Sequence, residues 1–414
     1  MIVSRRNMLA VAAAGGVLGA TAARAAQLGN PDSPAQGPKA IKNKKSISDP
    51  GPKNPVLADQ LPTSEMPPST DHGDVPNFWF PFAAANERVQ NGGWARQVTV
   101  NELPIAKSLA GVDMRLTAGG VRELHWHLPA EWAFVLYGNA RITGFDQNGR
   151  SFVADVSAGD LWNFPSGIPH SIQGLEPDGT EFLLVFDDGK FSEFDTFLPT
   201  TWMAHTPVEV LSKNFTLPQW AFEHIPLHEL YIFQAPVPGS LSADQQQATG
   251  PQGKTPESFS YELMKQQPDF KSPEGEVRIV DSTKFFVAST VAAAHVIVHP
   301  GAMRELHWHP NADEWQYYIA GSGRMGVFAA GENVRTKDFR AGDVAYIPRS
   351  FGHYIENTGN SDLVFLEVFN SSYYSSISFS QWLSHLPAEL VKAHFNFSDS
   401  ALAALSRSEQ TVVG

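Results

Sequence analysis

The chain has 414 residues, with 30 Lys and Arg against 43 Asp and Glu and a formal net charge of −13. That length exceeds one ordinary core and suits two domains, while the acidity and the lack of a long basic run exclude a phosphate-tracking surface, so no nucleic acid is expected as a partner. Thirty prolines and 33 glycines, with 11% aromatic residues, favour many short strands joined by tight turns and point to an all-β class.

The chain opens on Ser4-Arg5-Arg6, a weakly apolar stretch from Met8 to Ala22, and Ala23-Arg24-Ala25. Residues 1–25 resemble a twin-arginine export signal with an Ala-x-Ala cleavage site. An ordinary secretory signal or a short membrane anchor is the competing reading, but the stretch is Ala/Gly-rich and too short to span comfortably. The expectation is an exported protein, periplasmic or secreted, with no stable membrane association after cleavage. Cutting after Ala25 would remove Arg5, Arg6 and Arg24 and no acid, taking −13 to −16. Export would permit disulfides, yet the chain has no cysteine, so stability must come from packed cores and bound metal.

Residues 26–75, rich in Pro, Gly, Lys and Ser and without hydrophobic period, read as an extended arm. A first domain follows over 76–242, with strand signals at Val98-Thr-Val100, Ala133-Phe-Val-Leu-Tyr137 and Phe182-Leu-Leu-Val-Phe186. The polar stretch 243–258, with three consecutive glutamines, reads as the interdomain linker. A second domain covers 259–400, with strand signals at Ala293–Val298, Gln316–Ile319 and Leu363–Phe369, and a tail covers 401–414. Helix is expected only in segments such as Trp202–Phe215 and Ser380–His394.

The most informative pattern is a repeat. Arg122-Glu-Leu-His125-Trp-His127, closed by Glu131, returns as Arg304-Glu-Leu-His307-Trp-His309, closed by Glu314. Each copy is followed by a further histidine, His170 or His353, 39 residues after its glutamate. Side chains alternate along a strand, so His-x-His places both imidazoles on one face, where they can share an ion. The glutamate must come from the next stretch after a bend, marked by Pro129 or Pro310. The remote histidine follows a Gly-Asp and proline turn and belongs to a separate strand. Three strands converging on one cavity are what a small closed barrel offers.

Three imidazoles and one carboxylate are one ligand more than a tetrahedral catalytic zinc accepts with an open position, whereas an octahedral ion keeps two positions free. The count favours manganese or iron, two ions per chain, with manganese the more oxygen-tolerant choice. One His-Trp-His could equally be a pair of hydrogen-bonded core histidines; two complete copies are the signature of a metal site. Arg122, three residues before His125, is expected to point into the barrel if the strand is regular across that interval, its planar fork suited to a carboxylate of a small anionic substrate. Arg304 repeats the placement. The competing reading for both is a salt bridge to a barrel carboxylate.

Gly119-x5-His125-x-His127-x3-Glu131-x6-Gly138 with Gly159-x5-Pro165-x-Gly167-x2-His170, and the matching second set ending in Gly342-x5-Pro348-x4-His353-x3-Asn357, look like paired cupin motifs. The chain resembles the bicupin oxalate decarboxylases from about residue 71 to 395. Gly174 stands where the second motif usually has Asn, and Ser350 replaces a glycine; both affect turns and not ligands. The resemblance implies two tandem cupin barrels (double-stranded β-helix, jelly-roll-like) with a few accessory helices, and a hexamer made of two trimers. It also implies manganese- and dioxygen-dependent conversion of oxalate to formate and carbon dioxide, redox-neutral overall but passing through radicals.

Asp187-Asp-Gly-Lys-Phe-Ser192-Glu193-Phe-Asp195-Thr196 resembles the family's lid, Ser-Glu-Asn-Ser-Thr, placing a lid near 187–200 and its acid/base at Glu193. Phe194 and Asp195 depart from that pattern, and Asp195 is a possible substitute acid. The matching stretch of the second copy, Asn370–Ser380, contains no acid, so chemistry is expected in the first barrel. Trp126 and Trp308 flank the ligands as packing residues or electron carriers, and Tyr231 is a candidate hydrogen bonder behind the site. Oxalate oxidase, releasing peroxide through the altered lid, and a non-catalytic metal-binding bicupin are the alternatives.

Overall fold

The computed structural model describes residues 54–414; the signal expected over 1–25 and the arm before residue 54 lie outside them. The described end of the arm is not extended. Asn54 accepts a hydrogen bond from the Leu57 amide at 3.2 Å, and with proline next in line it starts the helix Pro55–Gln60, followed by Pro62–Glu65. From Pro68 to Gly414 the chain forms one body of two barrels.

The first barrel is wound around the long strand Glu131–Phe145. Its first half pairs with Leu161–Phe164 and Thr180–Phe186, its second half with Ser151–Ser157 and His170–Gly174. One strand thereby serves both faces of the barrel. In the second barrel the same stretch is divided at Gly321 into Glu314–Ala320 and Ser322–Ala329, on two separate sheets. Gly321 has a φ of +82°, and a Cβ there would lie 2.4 Å from the Asp362 carbonyl oxygen, so only glycine fits.

Strands read from unbroken apolar runs are buried on both faces. In Phe182-Leu-Leu-Val-Phe186, Leu184 and Phe186 line the metal cavity, while Leu183 and Val185 join Trp132, Phe134, Trp315, Tyr317, Leu366 and Val368 in a core shared by the two barrels. An alternating strand would have left one face for water.

Each barrel completes the other. Trp79–Pro81 pairs with Asp343–Ile347 of the second barrel, and Val75 and Phe78 lie in that barrel's core. In return Ser260–Tyr261 pairs with Leu161–Phe164 of the first, and Phe259 lies in the first barrel's core. The segments read as the start of each domain therefore add a strand to the opposite one, covering an edge that would otherwise be open.

Helices Pro199–Ala204, Val208–Phe215, Phe379–Ser384 and Ala388–Phe395 fall where the sequence places helix, and Asp399–Ala404 adds a turn in the tail. The segment read as linker starts as the helix Leu241–Ala248, whose Gln245 side chain donates to the Val153 carbonyl at 2.9 Å and whose Asp244 ion-pairs with Arg141. These polar anchors carry no hydrophobic period. Among the described residues no helix is long and apolar enough to cross a membrane.

Candidate metal centres and the lid above the first

Both ligand sets assemble as the spacing predicts. In the first barrel the strand Gly120–His125 ends on His125, His127 follows it, and the strands Glu131–Phe145 and His170–Gly174 each begin on a ligand. His125 faces His170, and His307 faces His353, across paired antiparallel strands. All eight side chains are buried, and within each set the ligand atoms lie within 4.8 Å of one another. Ser350, at φ +69°, adopts the left-handed turn that Gly167 makes at +75° in the other copy, so the departure leaves His353 in place.

Arg122 does point inward, but not because the strand is regular. Three residues on a regular strand put Arg122 and His125 on opposite faces. A register shift between Arg122 and His125, repeated between Arg304 and His307, turns both inward and leaves Leu124 and Leu306 exposed.

The six imidazoles share one tautomer. Nδ1 of His125, His127 and His170 donates to the carbonyls of Glu123, Pro129 and Ile168 at 2.6, 2.7 and 2.8 Å. Nδ1 of His307, His309 and His353 donates to those of Glu305, Ser375 and Phe351 at 2.7, 2.7 and 3.0 Å. A carbonyl only accepts, so each ring keeps its hydrogen on Nδ1 and presents a bare Nε2 to the cavity.

Those Nε2 atoms approach carboxylate oxygen closely. His127 and His170 lie 3.2 and 3.4 Å from Glu131 Oε2, and His309 and His353 lie 3.2 and 2.9 Å from Glu314 Oε2. Nε2 of His170, His307, His309 and His353, with Glu314 Oε2, are buried atoms without a hydrogen-bond partner. Converging lone pairs repel at such separations unless a cation lies among them, so the donor set fits a divalent metal in each barrel. Burial, then Arg122 and His170, hold His125 well below the usual imidazole range, and burial, Arg304 and His353 do the same for His307.

The residues behind the ligands differ between the copies. Trp162 Nε1 donates to Glu131 Oε1 at 2.9 Å. In the second barrel Gln316 Nε2 donates to Glu314 Oε1 at 2.5 Å and Tyr318 donates to Gln316 at 2.9 Å. Each arrangement fixes its carboxylate.

The larger difference surrounds the arginines. Arg304 is fully buried: Nε approaches Glu367 at 3.4 Å, Nη1 donates to the Thr411 carbonyl at 3.0 Å and Nη2 to the Tyr374 hydroxyl at 2.8 Å. Every nitrogen is engaged, one of them in an ion pair with a barrel carboxylate. At the position matching Glu367 the first barrel has Leu184. Arg122 donates to the Tyr231 carbonyl at 3.3 Å and lines the cavity with His125, His127, Glu131 and Glu193. The doubled motif thus carries one arginine neutralised by its barrel and one facing the metal ligands without such a neighbour.

Glu193 belongs to the short helix Glu193–Asp195, started by Ser192, whose hydroxyl accepts from the Phe194 amide at 3.2 Å. Its carboxyl is buried, Oε2 accepts a hydrogen bond from the Tyr231 hydroxyl, and Oε1 has no protein partner. Asp195 is exposed, so geometry separates the two acids that the lid motif left open. Burial raises the Glu193 carboxyl above its ordinary range, opposed by the Tyr231 hydrogen bond, Arg122 and Arg88. Beneath the lid about 10 Å³ remains free, roughly one water, so the lid is closed.

Sequence reasoning assigned no role to the glutamate of the doubled motif, although its repetition was a signal. Glu123 accepts from the amides of Leu230 and Tyr231 and from the Thr200 hydroxyl. It holds Tyr231 at a φ of +57°, the turn that carries its phenol to Glu193. Glu305 binds the amides of Gln410 and Thr411 at 3.1 and 2.9 Å in the same way, but Thr411 has no ring. Trp126 stacks on Phe197 with centroids 5.6 Å apart, and Trp308 meets Trp382 at 5.9 Å, so both indoles pack beneath the helical arms.

Comparison with known proteins matches this geometry. The family model described as Cupin fits residues 82–219 and again 261–402, so the chain is a cupin protein with the domain in tandem. It is 50% identical over 376 residues to oxalate decarboxylase OxdC of Bacillus subtilis (strain 168), covering 91% of this chain and 97% of that protein. It is 36% identical over 351 residues to a probable oxalate decarboxylase of Arthroderma benhamiae, covering 84% and 85%. A solved structure from work on the Mn(II) centres of Bacillus subtilis oxalate decarboxylase superposes with a TM-score of 0.85 at 51% identity, covering 87% of this chain and 95% of that one. The chain belongs to the bicupin oxalate decarboxylase family.

Proposed function

We propose that the chain converts oxalate to formate and carbon dioxide in its first barrel, with manganese and dioxygen, and that Glu193 is the proton acceptor and donor. One observation carries the assignment: a buried carboxyl, a carboxylate-binding arginine and a complete metal-ligand set share one closed cavity, and the second barrel has no acid in the matching lid stretch.

His125, His127, His170 and Glu131 would hold manganese, which when bound supplies Lewis-acid and one-electron chemistry to the substrate. Arg122 holds the carboxylate of oxalate remote from the ion through two N–H donors. Glu193 takes the proton of the incoming substrate and, after the carbon–carbon bond breaks and carbon dioxide leaves, returns it to the carbon that becomes formate. The raised pKa of a buried carboxyl suits a group that must both accept and give a proton in mild acid. Tyr231 orients that carboxyl, and the closed lid keeps out water and stray oxidant. Without a positioned acid the one-carbon fragment is open to further oxidation.

The test is incubation of manganese-loaded protein with oxalate under air at mildly acidic pH. Formate without peroxide is expected; peroxide in its place would assign oxalate oxidase, and neither product would leave a metal-binding bicupin without turnover.

The helical arms support assembly as a hexamer of two trimers. Trp202, Val210, Phe215, Leu217 and Trp220 beside the first barrel, and Trp382, Leu390 and Phe395 beside the second, are exposed, and grouped exposed apolar side chains are typical of contact surfaces. Sedimentation of the exported protein reports that state, and mass spectrometry of its N-terminus reports whether the twin-arginine signal is removed.

A further inference from the structure

Arg88 lies on the short strand Glu87–Gln90, outside both ligand sets and the lid. Its guanidinium carbon is 3.6 Å from the centroid of the Tyr231 ring and 5.3 Å from that of Phe194. Nη2 forms an ion pair with Glu229, and Nη1 is buried without a hydrogen-bond partner. One cation therefore touches the lid residue next to Glu193, the phenol that binds Glu193, and the segment that carries the phenol.

We propose that Arg88 is a positioning residue that latches the lid over the first metal centre, gripping Phe194 from one side while bracing Tyr231 against Glu193. Phe194 is 73% exposed, so little besides the guanidinium holds a large apolar ring at that place. A cation over an aromatic face is attracted by the ring quadrupole. The lid's departure from the family pattern at residue 194 supplies this ring. Tyr231 needs bracing because an aromatic residue at φ +57° sits in a sparsely populated conformation. Glu123 fixes its backbone, and Arg88 packs on its ring.

The latch is confined to the first copy. Arg88 pairs with Ala95, and the matching position in the second barrel, opposite Val277, is Phe270. With Thr411 in place of Tyr231 and no acid in the matching lid stretch, the second barrel has nothing for such a cation to hold.

The proposal rests on the assignment of Glu193, and its test separates the two. Hydrogen exchange of the lid amides 187–198 is measured on the full-length protein without substrate, alongside manganese content and the ratio of peroxide to formate. Arg88→Met is expected to speed lid exchange at least tenfold and to raise the peroxide share several-fold at unchanged manganese content. Phe194→Leu removes the ring at an exposed site without threatening the fold and is expected to do the same, with the double variant no worse than either single one. Arg88→Lys keeps a charge for Glu229 and is expected to fall between Arg88→Met and the parent. Lid exchange unchanged in both Arg88→Met and Phe194→Leu would overturn the latch whatever the products are. Faster exchange with an unchanged product ratio would overturn its positioning role and leave Arg88 as a lid contact only.

Discussion

Glu193 differs from Asp195 in where its carboxyl points: one is buried against Tyr231, the other faces solvent. Replacing Glu193 by Ala is expected to lower formate production by about 100-fold or more, the usual contribution of a general acid/base, with manganese content near that of the parent. Retained turnover would remove Glu193 from the mechanism. Arg122→Lys keeps a positive charge but loses the fork, and an expected drop in kcat/KM for oxalate of roughly 10-fold or more checks its grip. Arg304 offers a contrast, since its nitrogens are committed to Glu367, Thr411 and Tyr374.

Among the elements, the strand pairs carrying the ligands are alike, and the residues behind them set the copies apart. Trp162 anchors Glu131 from the strand Leu161–Phe164, a role taken by Gln316 in the second barrel. Trp162→Phe keeps the packing and loses the hydrogen bond, so manganese affinity at the first site is expected to fall by about 10- to 100-fold with the second site unchanged; titration followed by electron paramagnetic resonance reads both. The lid is tied to the same strand set, because the Phe197 and Trp126 backbones exchange hydrogen bonds at 2.9 and 3.1 Å. One end of the lid is thereby fixed to the residue between the two histidines. The other end is tied as well, the Asp187 carboxylate accepting from the Ala130 amide and the Gly189 carbonyl from the Val100 amide, both at 2.8 Å, so the lid is anchored on both sides of Glu193.

Across the whole molecule, the two barrels meet through a core that also buries charge. Asp113, on the outer face of the strand Ala110–Leu116, lies at that interface with one carboxylate oxygen unpartnered. Burial and the nearby Glu181, against Arg96, push its carboxyl up to about 7. Burial likewise raises Glu181 and Asp343. A carboxyl whose folded pKa lies above its unfolded value binds its proton more tightly when folded. Its contribution to stability is complete below about pH 4 and is lost as pH rises through about 7, at ~1.4 kcal/mol for each pH step across that window. Asp113→Asn is therefore expected to raise the urea midpoint at pH 8 and to leave it unchanged at pH 4. An equal effect at both values would mean that the carboxyl is not protonated in the fold.

Resemblance to the family's lid pointed to Glu193 and left Asp195 open; the amino-acid sequence by itself determined the doubled barrel and both sets of four candidate metal ligands. Those depend on local spacing: the alternation of a strand, a proline bend and a Gly-Asp turn place His125, His127, Glu131 and His170 wherever the chain folds as strands at all, and repetition removes the ambiguity of a single motif. Only the tertiary structure showed how differently the two arginines are surrounded. Leu184 against Glu367, and Tyr231 against Thr411, lie far along the chain from the arginines they surround and form no pattern with them. The register shift that turns Arg122 inward and the exchange of edge strands between barrels are equally non-local, since each is set by which strand comes to lie beside which.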